Sequence, residues 1–375
     1  MKWRIRDLMN PVITRTLLYG TNPFDLEYIL QKLDNLKVMS GKQIKAVWLE
    51  EWERKASHYL EYAQKSEARG SLISAREYYM LIAQCYYACY MVNTDDIEQK
   101  RGIYKKLEDA YKKTVSLRTN RVEYIEIPMG EKKIPAYLHF PDNGESEKPY
   151  PCVTTYSGIG SCKEELDILV PTLLERGIAV LTVDMPGTGA ALFDYDLKCV
   201  GDQLDAAFDA IASYLEARDD IDSDRMANYG LCMGGGYAFR ASAKRKNTRC
   251  CVSLFPLFLN FADMDHIPIW MKRGKWVLFQ NGEFEDYLDR MKVIEEGTIS
   301  CDFLMVHSSD DNWMNTDASM RLYDRALGNK EQIEVKEKPA FVSEETIMHA
   351  MPVGEQFHWV KHYASDFIAE RLNEK

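Results

Sequence analysis

The chain has 375 residues, of which 46% are hydrophobic and 28% charged, so it holds enough apolar side chains to bury a sizeable core. Lys and Arg number 47 against 58 Asp and Glu, and the formal charge of −11 argues against nucleic acid or an anionic membrane as a partner. No apolar run approaches the roughly 20 residues of a spanning helix, and the segment MKWRIRDLMNPVITR lacks the apolar core of a signal peptide.

The nine cysteines form no C-x-x-C pair, and Cys250 and Cys251 are adjacent in a predicted strand. An odd number of thiols without a redox or metal spacing favours free cysteines in a reducing compartment over a disulfide framework. Together with the absent signal peptide, this pattern predicts a cytoplasmic protein. No metal or other cofactor is predicted.

Residues 1–118 predict an all-helical domain. Apolar side chains recur at spacings of three and four from Gly41 to Leu117, and Gly70 punctuates the pattern. The segment AREYYMLIAQCYYACYM is apolar on two faces, which is typical of a buried helix. We predict that this domain is a lid over a catalytic domain; a helical-repeat interaction module is the alternative.

Strand and helix patterns alternate through residues 119–375. Short apolar runs such as PCVTTYSG, GIAVLTVDMPG, RMANYGLC and CDFLMVHSS predict strands, and KEELDILVPTLLER and DQLDAAFDAIASYLEAR predict helices between them. This alternation predicts an α/β domain with a mostly parallel sheet flanked by helices. The loops that follow parallel strands meet at one edge of such a sheet, and these loops carry the candidate residues.

The sequence YGLCMGGGYA contains the nucleophile-elbow pattern G-x-S-x-G with Cys232 in place of serine. The elbow is a strained strand-to-helix turn, and small residues at 230 and 234 avoid collisions within it. The turn places Cys232 at a helix N-terminus, where the helix dipole favours a thiolate. The alternatives are a glycine-rich junction with an inert buried cysteine, or a phosphate loop.

The other triad members are expected in the chain order nucleophile, acid, base. The strand CDFLMVHSSDD ends in an acidic pair, and we predict Asp311 as the acid, with Asp310 or a solvated turn as alternatives. We predict His349 as the base and His358 as its alternative. The i, i+4 pair of His358 and His362 has metal-ligand spacing, but without a third ligand it predicts a solvated helix face.

An oxyanion hole requires two backbone N–H groups. One is expected from Met233, the residue after the nucleophile, and the other from the loop SGIGSCKE, where Ile159 is the first choice and Gly160 the second. The alternative is a glycine turn without a catalytic role. No metal is predicted at this site.

The segment 255–297 is longer than a simple crossover and carries Trp270 and Trp276. We predict an insert that covers the pocket, so that Gly160, Trp270 and Trp276 line it; the alternative is that the aromatic residues belong to the core. An aromatic pocket suits an apolar acyl chain or a polyketide better than a sugar.

The elbow, the loop that precedes KEELDILV and the helical N-terminal segment together resemble one group of α/β-hydrolases over about residues 45–372. This group has an N-terminal helical lid and includes a hydrolase of nicotine breakdown, fungal polyketide-shortening hydrolases and the fermentation–respiration switch protein. The resemblance implies an α/β-hydrolase fold, a homodimer, and a triad of Cys232, Asp311 and His349. The lysine–glutamate pair and the D-G-P-G-x-G turn of the group correspond here to Lys163-Glu164 and to residues 184–189.

Two positions depart from this group. The nucleophile is Cys232 instead of serine, and Gly160 stands where the nicotine branch tends to carry a polar or acidic residue, which weakens the case for carbon–carbon bond hydrolysis. Cysteine variants of this fold are similar to dienelactone hydrolase, bile-acid acyltransferases and Dieckmann cyclases. A thioester intermediate is more open to amines and carbon nucleophiles than an oxygen ester is.

The sequence therefore predicts an enzyme that forms an acyl-cysteine intermediate on a small-molecule or carrier-bound acyl substrate. The product is released by hydrolysis, by acyl transfer or by Dieckmann-type cyclisation. One alternative is a carbon–carbon bond hydrolase like the nicotine enzyme. The other is a non-catalytic interaction protein that uses its helical domain.

Overall fold

The chain divides into two compact units, with the boundary between Thr119 and Asn120. The first unit is helical in its described part, and the second is built on one sheet. The computed structural model describes residues 5–35, 40–93, 95–141, 149–256, 297–309, 311, 316–336 and 354–373.

Two tryptophans anchor the core of the helical unit. Trp48 and Trp52 are fully buried, their ring centroids are 5.8 Å apart, and Trp48 Nε1 donates a hydrogen bond of 2.9 Å to the Ala88 carbonyl. Their helix begins at a capping box between Ser40 and Gln43. The described helices of this unit are α1 (Ile5–Leu18), α2 (Pro23–Asp34), α3 (Gly41–Ala68), α4 (Leu72–Val92) and α5 (Ile97–Ser116).

Helix α4 is buried on more than one face, as its apolar pattern predicts. Consecutive buried positions run from Ile82 to Cys85 and again from Tyr87 to Tyr90. A helix that is buried on a single face would not have four buried residues in a row. It packs against α3 on one side and α5 on the other. These contacts explain why α4 has few charged residues.

The described part of the second unit contains an eight-stranded sheet. Its strand order is β1-β2-β4-β3-β5-β6-β7-β8. The β1–β2 and β2–β4 pairs are antiparallel, and every other neighbouring pair is parallel. The predicted α/β class with a mostly parallel sheet is confirmed. The strands are β1 (Val122–Met129), β2 (Lys132–His139), β3 (Tyr150–Tyr156), β4 (Ala179–Val183), β5 (Ile221–Leu231), β6 (Thr248–Leu254), β7 (Asp302–His307) and β8 (Lys330–Glu334).

The helical segment after β3 differs from the continuous helix that the sequence predicts. It is a 3₁₀ helix, Lys163–Ile168, followed by the short helix α6, Val170–Leu174. Pro171 lies in the first turn of α6 and has no N–H to donate to a preceding turn, which breaks the α-helical pattern there. The remaining described helices are α7 (Gly189–Phe193), α8 (Gly201–Glu216), α9 (Met233–Lys244), α10 (Thr316–Asp324) and α11 (Gly354–Asn373).

The central strand β5 lies between β3 and β6, and their register brings the carboxyl ends of the three strands together. Tyr156 at the end of β3 pairs with Gly230, and Gly230 pairs with Ser253 on β6. The loops after these strands therefore leave one edge of the sheet, where α/β folds place their sites. Among the described residues, no helix combines the length and apolar character that a membrane span needs.

Candidate active site

Cys232 is the single residue between strand β5 and helix α9. Its φ of 57° and ψ of −125° lie outside the regions that non-glycine residues usually occupy. Two backbone hydrogen bonds of 2.8 Å hold it there: its N–H donates to the Leu254 carbonyl, and its carbonyl accepts from the Gly235 N–H. This is the sharp strand-to-helix turn that the predicted elbow requires.

The glycines on either side of Cys232 have no room for a side chain. A Cβ on Gly230 would lie 1.8 Å from the Gly234 carbonyl oxygen, and a Cβ on Gly234 would lie 2.1 Å from the Tyr156 carbonyl oxygen. Both distances are far shorter than any van der Waals contact. The spacing of small residues thus has a direct steric cause. Because Gly234 has no side chain, the start of α9 packs closely against the end of β3.

The loop after β3, residues 157–162, reaches Cys232. A Cβ on Gly158 would lie 3.0 Å from Cβ of Cys232 and 3.4 Å from its sulfur. The Ser161 N–H donates to the Gly158 carbonyl over 3.3 Å and closes a turn whose third residue, Gly160, has a φ of 68°. Ile159 occupies the second position of that turn. The structure therefore brings the loop that contains Ile159 and Gly160 close to Cys232. Met233, the other predicted oxyanion donor, is the next residue in the chain.

Asp311 follows strand β7 and is 8% exposed. Its N–H donates to the Ser308 carbonyl over 3.3 Å, which turns the chain back after the strand. Because β5, β6 and β7 are adjacent and parallel, Asp311 and Cys232 leave the same edge of the sheet. The assignment of Asp311 as the acid stays a prediction.

Several predicted residues lie outside the described part of the chain: His349, Trp270, Trp276 and the alternative acid Asp310. The alternative base His358 and the nearby His362 lie on α11 with exposed side chains. Within the described ranges, no group of three metal-ligating side chains is found. The assignment of His349 as the base thus stays a prediction.

A buried ionic cluster, to which the sequence pattern assigns no role, lies beside the loop. Lys163, Glu164 and Asp184 are all 0% exposed. Lys163 Nζ lies 2.8 Å from Glu164 Oε1 and 2.8 Å from Asp184 Oδ2. The contact between Gly158 and Cys232 was also missed. Both contacts join residues far apart along the chain, so no local residue pattern indicates them.

All nine cysteines lie in described parts of the chain, and each is a free thiol. Burial raises the pKa of Cys152 and Cys301 to about 12. It also raises the pKa of the thiols of Cys85, Cys89, Cys162, Cys250 and Cys251. These side chains are protonated at neutral pH and are poor nucleophiles.

Comparison with known proteins gives a family and relatives. The model of the FrsA-like esterase family matches residues 34–268. The 2,6-dihydropseudooxynicotine hydrolase of Paenarthrobacter nicotinovorans is 29% identical over 219 residues, which cover 58% of this chain and 56% of that protein. The hydrolase pyiE of Pyricularia grisea is 27% identical over 268 residues, or 66% of this chain and 56% of that protein. The chain thus spans about half the length of these relatives.

A solved structure of 2,6-dihydroxy-pseudo-oxynicotine hydrolase has the same fold. It superposes with a TM-score of 0.77 at 20% identity, over 96% of this chain and 95% of that one. An esterase of Pyrobaculum calidifontis superposes with a TM-score of 0.54 at 17% identity, over 73% of this chain and 93% of that one. The family match over more than half of the chain, with the elbow and the sheet order described above, shows that the chain belongs to the FrsA-like esterase family and has the α/β-hydrolase fold.

Proposed function

We propose that this protein is an acyl-transferring or acyl-hydrolysing enzyme that forms a thioester on Cys232. The observation that carries the proposal is the backbone of Cys232, which holds the nucleophile position of the elbow at the N-terminus of a 12-residue helix. A conformation this strained for a non-glycine residue is typical of functional sites. The helix dipole favours the thiolate that such an enzyme needs.

In the first half-reaction, His349 takes the thiol proton and the Cys232 sulfur attacks the carbonyl carbon of an ester or thioester. Asp311 orients the imidazole and stabilises the imidazolium. The N–H groups of Met233 and Ile159 donate to the oxyanion. The bond from carbon to the alkoxide or thiolate then breaks, and the leaving group takes the proton from His349. The product of this step is acyl-Cys232.

In the second half-reaction, an acceptor attacks the thioester and releases Cys232. The acceptor is water, an amine, or an acidic C–H group within the acyl chain; loss of the C–H proton gives a carbanion that closes a ring by Dieckmann-type cyclisation. His349 takes the proton of the acceptor and returns it to the sulfur. A site that excludes water favours amines and carbanions over hydrolysis.

We further propose that the helical domain, residues 1–118, and the segment 255–297 keep water from this intermediate. Gly160, Trp270 and Trp276 line the pocket in this proposal, which suits an apolar or polyketide-like acyl group from a small molecule or a carrier. We also propose a homodimer in the cytoplasm that needs no cofactor. The free thiols support the reducing compartment in this proposal.

The second candidate is carbon–carbon bond hydrolysis. It is favoured by the similarity to a protein named 2,6-dihydropseudooxynicotine hydrolase, at 29% identity over 219 residues. A panel of β-diketones and acyl thioesters separates the two candidates. Faster turnover of β-diketones supports carbon–carbon cleavage, and faster turnover of thioesters supports the acyl enzyme.

Mass spectrometry of the intact protein tests the acyl-cysteine intermediate. After a brief exposure to a synthetic acyl thioester, we expect one acyl group, located on Cys232 by peptide mapping. The raised pKa values of Cys152 and Cys301 make these thiols internal controls. Acylation of those cysteines at the same rate, or none on Cys232, would reject the proposal.

A further inference from the structure

The loop that approaches Cys232 ends at Lys163, the first residue of the 3₁₀ helix. This lysine is 0% exposed, and its Nζ lies between two carboxylates at 2.8 Å each. Burying charges is costly, and a buried lysine is retained only where partners meet it. Neither the elbow nor the triad uses this side chain.

Asp184 is the residue directly after strand β4, and it binds both the loop and the turn that follows. Its Oδ1 accepts from the Lys163 N–H at 2.7 Å, and its Oδ2 accepts from Lys163 Nζ at 2.8 Å and from the Ala190 N–H at 2.9 Å. Gly189 has a φ of 43°, and a Cβ there would lie 2.2 Å from the carboxylate. The turn thus wraps closely around this carboxylate.

These bonds fix the loop at both of its ends. Tyr156, before the loop, pairs with Val183 on one side and with Gly230 of the elbow strand on the other. Lys163, after the loop, is bonded to Asp184, the residue next to Val183. The loop therefore begins and ends on adjacent strand ends. Gly158, which contacts the nucleophile, lies between the two fixed points.

We propose that Lys163 and Asp184 are positioning residues that hold the backbone of the loop in the geometry of an oxyanion hole. The proposal rests on the proposed acyl-enzyme function. Oxyanion stabilisation depends on donors that are already in place when charge develops. A loop with glycines at positions 158 and 160 has wide backbone freedom, which the buried pair would restrict.

The test compares two reactions of the same sulfur. Acylation by a p-nitrophenyl ester develops an oxyanion, whereas alkylation by iodoacetamide does not. For Lys163→Met and for Asp184→Asn, we expect the rate of acylation to fall about 100-fold or more. We expect the rate of Cys232 alkylation to stay within about threefold of the wild type, because the elbow is unchanged. Lys133→Met is the matched control, since it removes an exposed ion pair of 2.7 Å with Glu126, and it should leave both rates unchanged.

Three results would overturn the positioning role. The first is a parallel loss of acylation and alkylation, which would mean that the pair shapes Cys232 itself. The second is unchanged acylation in both variants. The third is loss of the folded state in both variants by circular dichroism, which would assign the pair to stability. A wild-type chain that is alkylated at Cys232 but never acylated there would instead reject the proposed function.

Discussion

The backbone of Gly158 lies so close to Cys232 that an added Cβ would stand 3.0 Å from Cβ of the cysteine and 3.4 Å from its sulfur. The carbon–carbon distance is shorter than ordinary contacts, and the carbon–sulfur distance is at the short end of van der Waals contact. The loop and Cys232 are therefore fitted to each other, and no side chain separates them.

We expect Gly158→Ala to lower the acylation rate by about 10- to 100-fold, because the methyl group must displace either the sulfur or the loop by a few tenths of an ångström. Gly102→Ala is the control, since position 102 is in α5 and has no heavy atom within 4 Å of the added Cβ. That variant should keep full activity and gain about 0.5–1 kcal/mol of stability. Stopped-flow acylation and urea unfolding measure both effects; full activity of Gly158→Ala would contradict the fit.

Cys232→Ala is expected to abolish formation of the acyl enzyme, because the sequence has no second nucleophile elbow. Cys232→Ser should keep the fold and shift products toward hydrolysis, since an oxygen ester is less open to amines than a thioester. Product ratios with and without an added amine, read by mass spectrometry, measure the shift. An unchanged rate in Cys232→Ala would show that another residue is the nucleophile.

His349→Ala should lower the acylation rate by about three to four powers of ten, as the loss of a triad member does in comparable enzymes. Asp311→Asn should lower the acylation rate by a similar factor, because the imidazole would no longer be held in the required tautomer. His358→Ala is the comparison variant and should cost far less. The opposite ranking of the two histidines would identify His358 as the base.

Acid should weaken the folded state through Asp220. Hydrogen bonds from Arg218 and Arg121 lower the pKa of Asp220 to about 2. A lowered pKa in the folded state stabilises the protein above the unfolded pKa of about 4, and this contribution is lost as the pH falls from about 4 toward 2. After allowance for solvent screening, we expect Asp220→Asn to cost about 1 kcal/mol at pH 7. In urea unfolding, this difference should shrink below pH 4; a constant difference would refute the assignment.

Deletion of residues 1–118 tests the proposal that the helical domain is a lid over the catalytic domain. We expect the remaining domain to expose an apolar pocket, and therefore to aggregate or to lose acyl transfer. Light scattering and the acylation assay measure the two outcomes. A soluble truncation with full activity would favour an independent interaction domain instead.

The elbow was predictable because its rule is local. Residues 230 to 234 must form a tight turn. The sequence G-L-C-M-G indicates this turn by itself, without information about which strands lie beside it. The strands were predictable for a similar reason, since buried parallel strands are short apolar runs. The breakdown of the helix at Pro171 also has a local cause, and the position of that proline was the missed signal.

The contact between Lys163 and Asp184, which holds the end of the loop after β3, was not predictable from one sequence. Lys163 and Asp184 are 21 residues apart, and they meet because β3 and β4 are parallel neighbours with Tyr156 opposite Val183. Parallel strands are joined by a crossover connection, so no local residue pattern indicates which residues meet. The same reason explains why Gly158 could be assigned to the loop but not to contact with Cys232.

The distribution of thiols gives the protein a built-in reporter of its own unfolding. Cys85 and Cys89 are buried in α4, and the other seven cysteines belong to the sheet unit. A thiol reagent in excess can label the buried sites only when their surroundings open. Timed labelling followed by peptide mapping would therefore record the opening rate of each unit separately, with no introduced dye and no mutation.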